Sequence, residues 1–260
     1  METSRVVRKS IEDYRGNWKK CLVIGLYSSF CMAVYTWICG YLSIIGMPLV
    51  SFIVTFLYPI VTIGITYACL ILVRKEKKSL NETLSIGFKN PVKVAIINFI
   101  VILFSLLWML LLIIPGIMKG FAYSQANFIY LDNSKLKSTE YLSDSSDLME
   151  NNKMELFLLG FLLYAIPYLI TTFMIGFLFS MEMSKTGIVW GIFLKSIYFI
   201  VLNIFISPLY GLIYANFYSF LADGDDGAGE TKSIWNIIVV VSLIIMTILS
   251  LILFMISQGY

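Results

Sequence analysis

"PLYGLIYANFYSFLAD", residues 208–223, carries a proline, then Tyr-Ala-Asn-Phe, then a polar break. Its pieces return twice upstream, in "PGIMKGFAYSQANFIYLDN" from Pro115 and in "PIVTIGITYACLILVRK" from Pro59. The matching tetrads are Tyr67-Ala68-Cys69-Leu70, Gln125-Ala126-Asn127-Phe128 and Tyr214-Ala215-Asn216-Phe217. Three apolar runs that end in one manner predict a threefold internal repeat with a period of roughly 60–75 residues.

The runs themselves set the fold class. The chain has 260 residues, 59% of them apolar and 13% charged, with a mean hydropathy of +0.85. A soluble domain is less apolar and carries about twice that share of charge. Apolar runs near Cys21–Ile45, Leu49–Val73, Val92–Ile114, Leu156–Ser180 and Trp235–Ile256 approach or exceed the ~20 residues that cross a bilayer core. These features predict an all-α polytopic transmembrane bundle. The charged stretch before Cys21 and the length of the first apolar run read as an uncleaved anchor rather than a signal peptide.

Charge gives the orientation. Arg5, Arg8, Lys9, Arg15, Lys19 and Lys20 precede the first run, and Arg74, Lys75, Lys77, Lys78, Lys89 and Lys93 flank the second polar stretch. Lys135, Lys137, Lys153 and Lys232 follow, which leaves only Lys119, Lys185 and Lys195 elsewhere. By the positive-inside rule the N-terminus and these polar loops are expected in the cytoplasm.

Each of the first three polar stretches ends in an Asn and a Lys at the lipid boundary: Asn17 with Lys19, Asn90 with Lys93, Asn152 with Lys153. Before each lies a candidate amphipathic helix. Val7, Ile11, Tyr14 and Trp18 share one face of the first, opposite Arg8, Glu12, Asp13 and Arg15. Leu80, Leu84 and Phe88 repeat every fourth residue in the second, and Tyr141, Leu142, Leu148 and Met149 flank Ser145 in the third. Such helices lie along the inner membrane surface or pack beneath the bundle.

The unit therefore reads as a surface helix, an outbound span and a returning span that holds Pro59, Pro115 or Pro208, each proline bending or opening its helix. Alanine in the tetrads allows close backbone approach, and Asn127 and Asn216 can hydrogen-bond across helices. Gly187 to Leu221, about 50 Å as one helix, reads as a long helix bent at Pro208. About seven crossings follow, or eight with the tail inside if Pro208 instead separates two crossings. The hairpin repeats span about 1–73, 74–131 and 132–221, forming a membrane bundle over 1–221. The stretch "ADGDDGAGETK" (222–232) reads as an acidic flexible linker without EF-hand ligand spacing, and residues 233–260 as an extra span with its tail outside.

Three motifs carry a family resemblance: "IIPGIMKGFAYSQANFIYLDN", "SDLMENNKMELFLLGF" and "PLYGLIYANFYSFL". With them, about residues 5–221 resemble the family catalogued as a bacterial domain of unknown function, number 975. That family is itself distantly similar to the membrane domain attached to some glycerophosphodiester phosphodiesterases. Glu150 and Asn151 stand where the family more usually has a basic residue and a glycine. The resemblance implies a bacterial cytoplasmic membrane and a multi-hairpin bundle, and brings no activity, catalytic residue or cofactor.

Side chains that usually carry chemistry are scarce. There is no histidine, the commonest metal ligand and general base. Cys21, Cys31, Cys39 and Cys69 form no C-x-x-C pair and read as small core residues. No nucleotide, nucleophile-elbow or zincin motif occurs, and no carboxylate lies at a span centre. No catalytic or metal residue, no cofactor and no nucleic-acid partner is expected. The candidate cavity or packing residues are Lys195, Asn203, Asn127, Asn216, Pro59, Pro115 and Pro208. Lys195 reads either as a side chain snorkelling to the outer headgroups or as a cation lining a cavity.

Three function classes stay open. The first is a non-enzymatic membrane protein that handles, or protects against, a hydrophobic or membrane-active molecule such as a peptide. The second is a permease subunit whose ATPase is a separate chain, docked on a cytoplasmic helix such as the Leu80/Leu84/Phe88 face. The third is a structural scaffold. Membrane lipids are partners in all three.

Overall fold

The long apolar runs form long helices, because a backbone in lipid must satisfy its own hydrogen bonds. A computed structural model describes residues 3–160 and 185–223; they contain helices and no strand. The elements are α1 (Thr3–Gly16), α2 (Trp18–Ile44), α3 (Pro48–Val73), α4 (Leu80–Leu84), a 3₁₀ turn (Ile86–Phe88), α5 (Pro91–Leu111), α6 (Ile113–Ala122), α7 (Ala126–Asp132), α8 (Glu140–Leu148), α9 (Lys153–Gly160) and α10 (Lys185–Ala222). Trp18–Ile44, Leu49–Val73, Pro91–Leu111 and Asn203–Ala222 are long and apolar enough to cross a membrane. Most of the expected linker 222–232, the span 235–256 and most of the run 156–180 lie outside the described residues, which belong to one unit, Thr3–Asp225.

The core gathers at one end of the helices. The buried residues of α2 are Cys21, Ile24, Gly25, Ser28 and Ser29, all in its first half. In α3 burial runs from Ile60 to Val73, and in α5 it is confined to Val94 and Ile97. Ala68, Ala126 and Ala215 of the three tetrads belong to a single buried cluster. At the other end Ile44, Leu49, Leu110 and Ile114 are exposed by 72–85%.

Backbones touch where glycine allows it. A methyl group on Gly25 would overlap the carbonyl oxygen of Ile204 in α10. That carbonyl is the one four residues before Pro208, which has no N–H to offer it. Ser28 and Ser207 Oγ atoms bridge the same two helices at 2.7 Å. Gly64 of α3 meets the Leu84 carbonyl, and Gly87 meets the Ile60 carbonyl, so α4 and the 3₁₀ turn lie directly on α3.

The face of α1 that packs inward carries Val6 and Ser10, both 0% exposed, while Ile11, and Trp18 at the start of α2, stay exposed. Ser10 is small enough to let α1 sit on α10, which leaves Ile11 outward. Three expectations need correction. The Leu80/Leu84/Phe88 face is interrupted by the change to 3₁₀ geometry: Leu84 is buried and Phe88 is 59% exposed. Pro115 bends nothing, because it stands in the first turn of α6 after an extended Leu112 (φ −155°, ψ 131°), where a missing N–H costs little. The second return is not one span but two short helices, α6 and α7, separated at Tyr123–Gln125. Ser145 of α8 fills that break, donating to the Ala122 carbonyl (2.7 Å) and accepting from the Gln125 amide (3.1 Å).

Candidate functional site

Where α3, α7 and α10 end or approach their ends, three polar side chains converge. The chain leaves α3 through a Schellman turn: the Glu76 amide donates to the Ile71 carbonyl and the Lys75 amide to the Leu72 carbonyl, with Lys75 at φ 56°. This turn positions Arg74, whose two Nη groups donate to both oxygens of Asp132, at 2.6 and 2.8 Å. The Tyr218 hydroxyl donates to Asp132 Oδ2 at 2.6 Å, and the Tyr218 ring stacks on Phe128, 5.2 Å between centroids.

The electrostatics follow from these contacts. Burial alone pushes the Asp132 carboxyl up, but the hydrogen bonds from Arg74 and Tyr218 outweigh it and hold the group below the usual carboxylate range. The hydrogen bond to Asp132 holds the Arg74 guanidinium above its ordinary value. A carboxylate so thoroughly satisfied is a poor base. The junction clasps three helix ends. Close by, Lys78 donates to the Tyr67 hydroxyl at 2.8 Å and pairs with Glu76 at 2.8 Å.

The candidates named from sequence do not form one site. Asn127 pairs reciprocally with Asn98 of α5, each amide donating to the other at 3.2 Å. Asn216, fully buried, donates to Ser10 Oγ, Asp13 Oδ2 and the Leu212 carbonyl, all at 3.1 Å, and so ties α10 to α1. Pro59 lies inside α3, Pro115 opens α6, and Pro208 is buried inside α10. Asn203 is half-buried on α10. Lys195 is a position on the same helix, with its side chain outside the described residues.

Arg74 and Asp132 escaped the reading of the sequence as a pair. A signal existed: each follows its tetrad alanine by six positions, Ala68 to Arg74 and Ala126 to Asp132. Gly25, Ser28 and Ser29 escaped as well, although glycine and serine four residues apart are the small-residue pattern of close helix pairs.

The comparisons with known proteins give one finding. The family model described as "Protein of unknown function (DUF975)" matches residues 95–225, from the first turns of α5 to just beyond α10. No curated protein and no solved structure matches the chain.

Proposed function

Since the chain belongs to this family of unknown function, DUF975, its role must be argued from its own residues, and we propose that it is a non-enzymatic protein of the bacterial cytoplasmic membrane that handles, or protects against, a hydrophobic or membrane-active molecule. Its N-terminus lies in the cytoplasm, its C-terminus outside, and about seven spans include three related hairpins. The packing of α4 on α3 and of α8 on α6 and α7 supports the repeat, since each of these surface helices rests on the return of the unit before it, and α1 rests on α10, the return of the third unit, as a closed ring of three would have it.

The observation that carries the reading is the chemistry of two helix-hairpin tips. No charged residue occurs from Cys21 to Val73 or from Val94 to Met118. The tips expose Ile44 (85%) and Leu49 (78%) in one hairpin, and Leu110 (83%) and Ile113 (71%) in the other. A span that ends in water usually ends in polar or interfacial residues. Trp37, Tyr41 and Trp108, exposed near these tips, are residues of the interfacial kind, and the apolar side chains beyond them suit the acyl region or a hydrophobic guest.

The test is expression of the whole chain, alone, in a host sensitive to membrane-active peptides. Raised survival against cationic amphipathic peptides, lost on placing Asn at Ile44 and Leu110, is the expected result. No protection against any peptide, or a stoichiometric ATPase that co-purifies and is needed for the effect, overturns it in favour of the permease reading. That second reading draws on Phe88, which stays exposed beside Lys89 on the polar side of α5.

A further inference from the structure

The polar stretch after α7 folds back beside the start of α5 and leaves a cleft of about 570 Å³ between them. Its walls include Lys89, Asn90, Lys93, Ile96, Leu136 and Lys137, and among the described residues no carboxylate lines it. Lys93 builds the cleft: its ammonium donates to the Ser134 and Leu136 carbonyls at 2.6 and 2.9 Å and lies 5.4 Å from the centre of the Tyr141 ring. Two of its three N–H bonds hold the far wall in place. Lys89 and Lys137 are exposed; the nearby Glu140 accepts the Lys137 backbone amide at 2.8 Å.

Two further features choose among anions. Asn90 makes no side-chain cap to α5, and the first residues of that helix, Pro91, Val92 and Lys93, line the cleft, at the end where a helix favours an anion. From the cleft an apolar stripe then runs along α5: Val92, Ile96, Phe99 and Leu103, exposed by 70, 43, 45 and 40%, spaced to share one face. Cations at one end and a bare apolar track leading away from them match a phosphate that carries acyl chains. A free phosphate would use only the first half of that surface.

The geometry points to this cleft as a binding site for the phosphate headgroup of an anionic phospholipid, with the acyl chains laid along the Val92–Leu103 face of α5. The site depends on the membrane reading of the chain and not on any role in protection. It can therefore stand or fall separately from the proposal above.

The experiment uses the full chain in nanodiscs of phosphatidylcholine with a minor share of phosphatidylglycerol. Native mass spectrometry, and titration with a fluorescent phosphatidylglycerol, read lipid retention. Lys93→Gln would disturb the wall itself, so the test variant is the exposed pair K89Q/K137Q, with K75Q/K77Q as a charge-matched control. We expect the wild-type protein to retain phosphatidylglycerol over phosphatidylcholine, K89Q/K137Q to weaken that retention roughly tenfold, and the control to change it less than about twofold. Equal loss in both variants, or none in K89Q/K137Q, overturns the site. Displacement of the lipid by inorganic phosphate at comparable concentration overturns its assignment to a lipid and leaves a soluble phosphate as occupant.

Discussion

Asp132 receives both Nη groups of Arg74 across 58 residues of sequence, at 2.6 and 2.8 Å, with the Tyr218 hydroxyl on the same carboxylate. The pair is about one-third exposed on each side, so its Coulombic value is screened and it adds modestly to stability. Its geometric value is larger, since a bidentate fork fixes the relative placement of two helix ends.

Asp132→Asn should lower the stability of the detergent-solubilised protein by about 1 kcal/mol at neutral pH. The pH dependence has a definite sign. A carboxylate whose native titration is held down contributes stability above its unfolded value and loses it as pH falls through the native one. The gap between wild type and Asp132→Asn should therefore be full at pH 7 and close below about pH 4. Thermal melts of both proteins across that range check it, and a gap that persists in acid would exclude the ionised pair as its source.

Ser145 is the peg in the break between α6 and α7, serving one buried carbonyl and one buried amide with a single hydroxyl. Ser145→Ala removes both contacts without adding bulk. Leaving buried backbone groups unmade costs about 1–3 kcal/mol, so the variant should melt well below wild type. Hydrogen exchange should quicken at Gln125 in particular. Unchanged protection there would mean that the break is held by something else.

How much could be read from the residues alone differs by level. That α2, α3, α5 and α10 are long apolar helices was legible, because lipid leaves the backbone few alternatives. Facing was less so. The face of α1 buried against α10 is marked by the small, polar Ser10, which accepts from Asn216, and not by the apolar Ile11, so apolar spacing alone does not reveal it. The turn at Tyr123–Gln125 was illegible for another reason: it is stabilised by Ser145, a residue of a different helix, and nothing in "GFAYSQANF" marks a stop. Asn127 could be named as a residue able to hydrogen-bond across helices, but its pairing with Asn98 depends on how α5 and α7 cross.

Asn151 adopts φ 64° just after α8, in the left-handed region where glycine is at ease and Asn is the best-tolerated substitute. Asn151→Gly should be neutral or stabilise by a few tenths of a kcal/mol, whereas Asn151→Val should destabilise by about 1–2 kcal/mol. Melting temperatures in the order Gly at or above Asn, with Val lowest, are expected. A Val variant as stable as the wild type would show that the residue is not held in this conformation.

Gly25 offers the sharpest test of how α2 meets α10. A Cβ there would collide with backbone atoms of Ile204, carbonyl carbon and Cα included, and a backbone cannot rotate away as a flexible side chain can. The freed carbonyl before Pro208 has its close neighbour in this glycine, so separating the helices also strips that carbonyl of its cover. Gly25→Ala should cost about 1–3 kcal/mol, the usual range for overpacking. Gly40 lies on the same helix with nothing within 4 Å of its Cβ position, so Gly40→Ala should be neutral or stabilise through helix propensity alone. Detergent melts of the two variants side by side separate packing from propensity. Were both to shift alike, α2 would not approach α10 closely at Gly25.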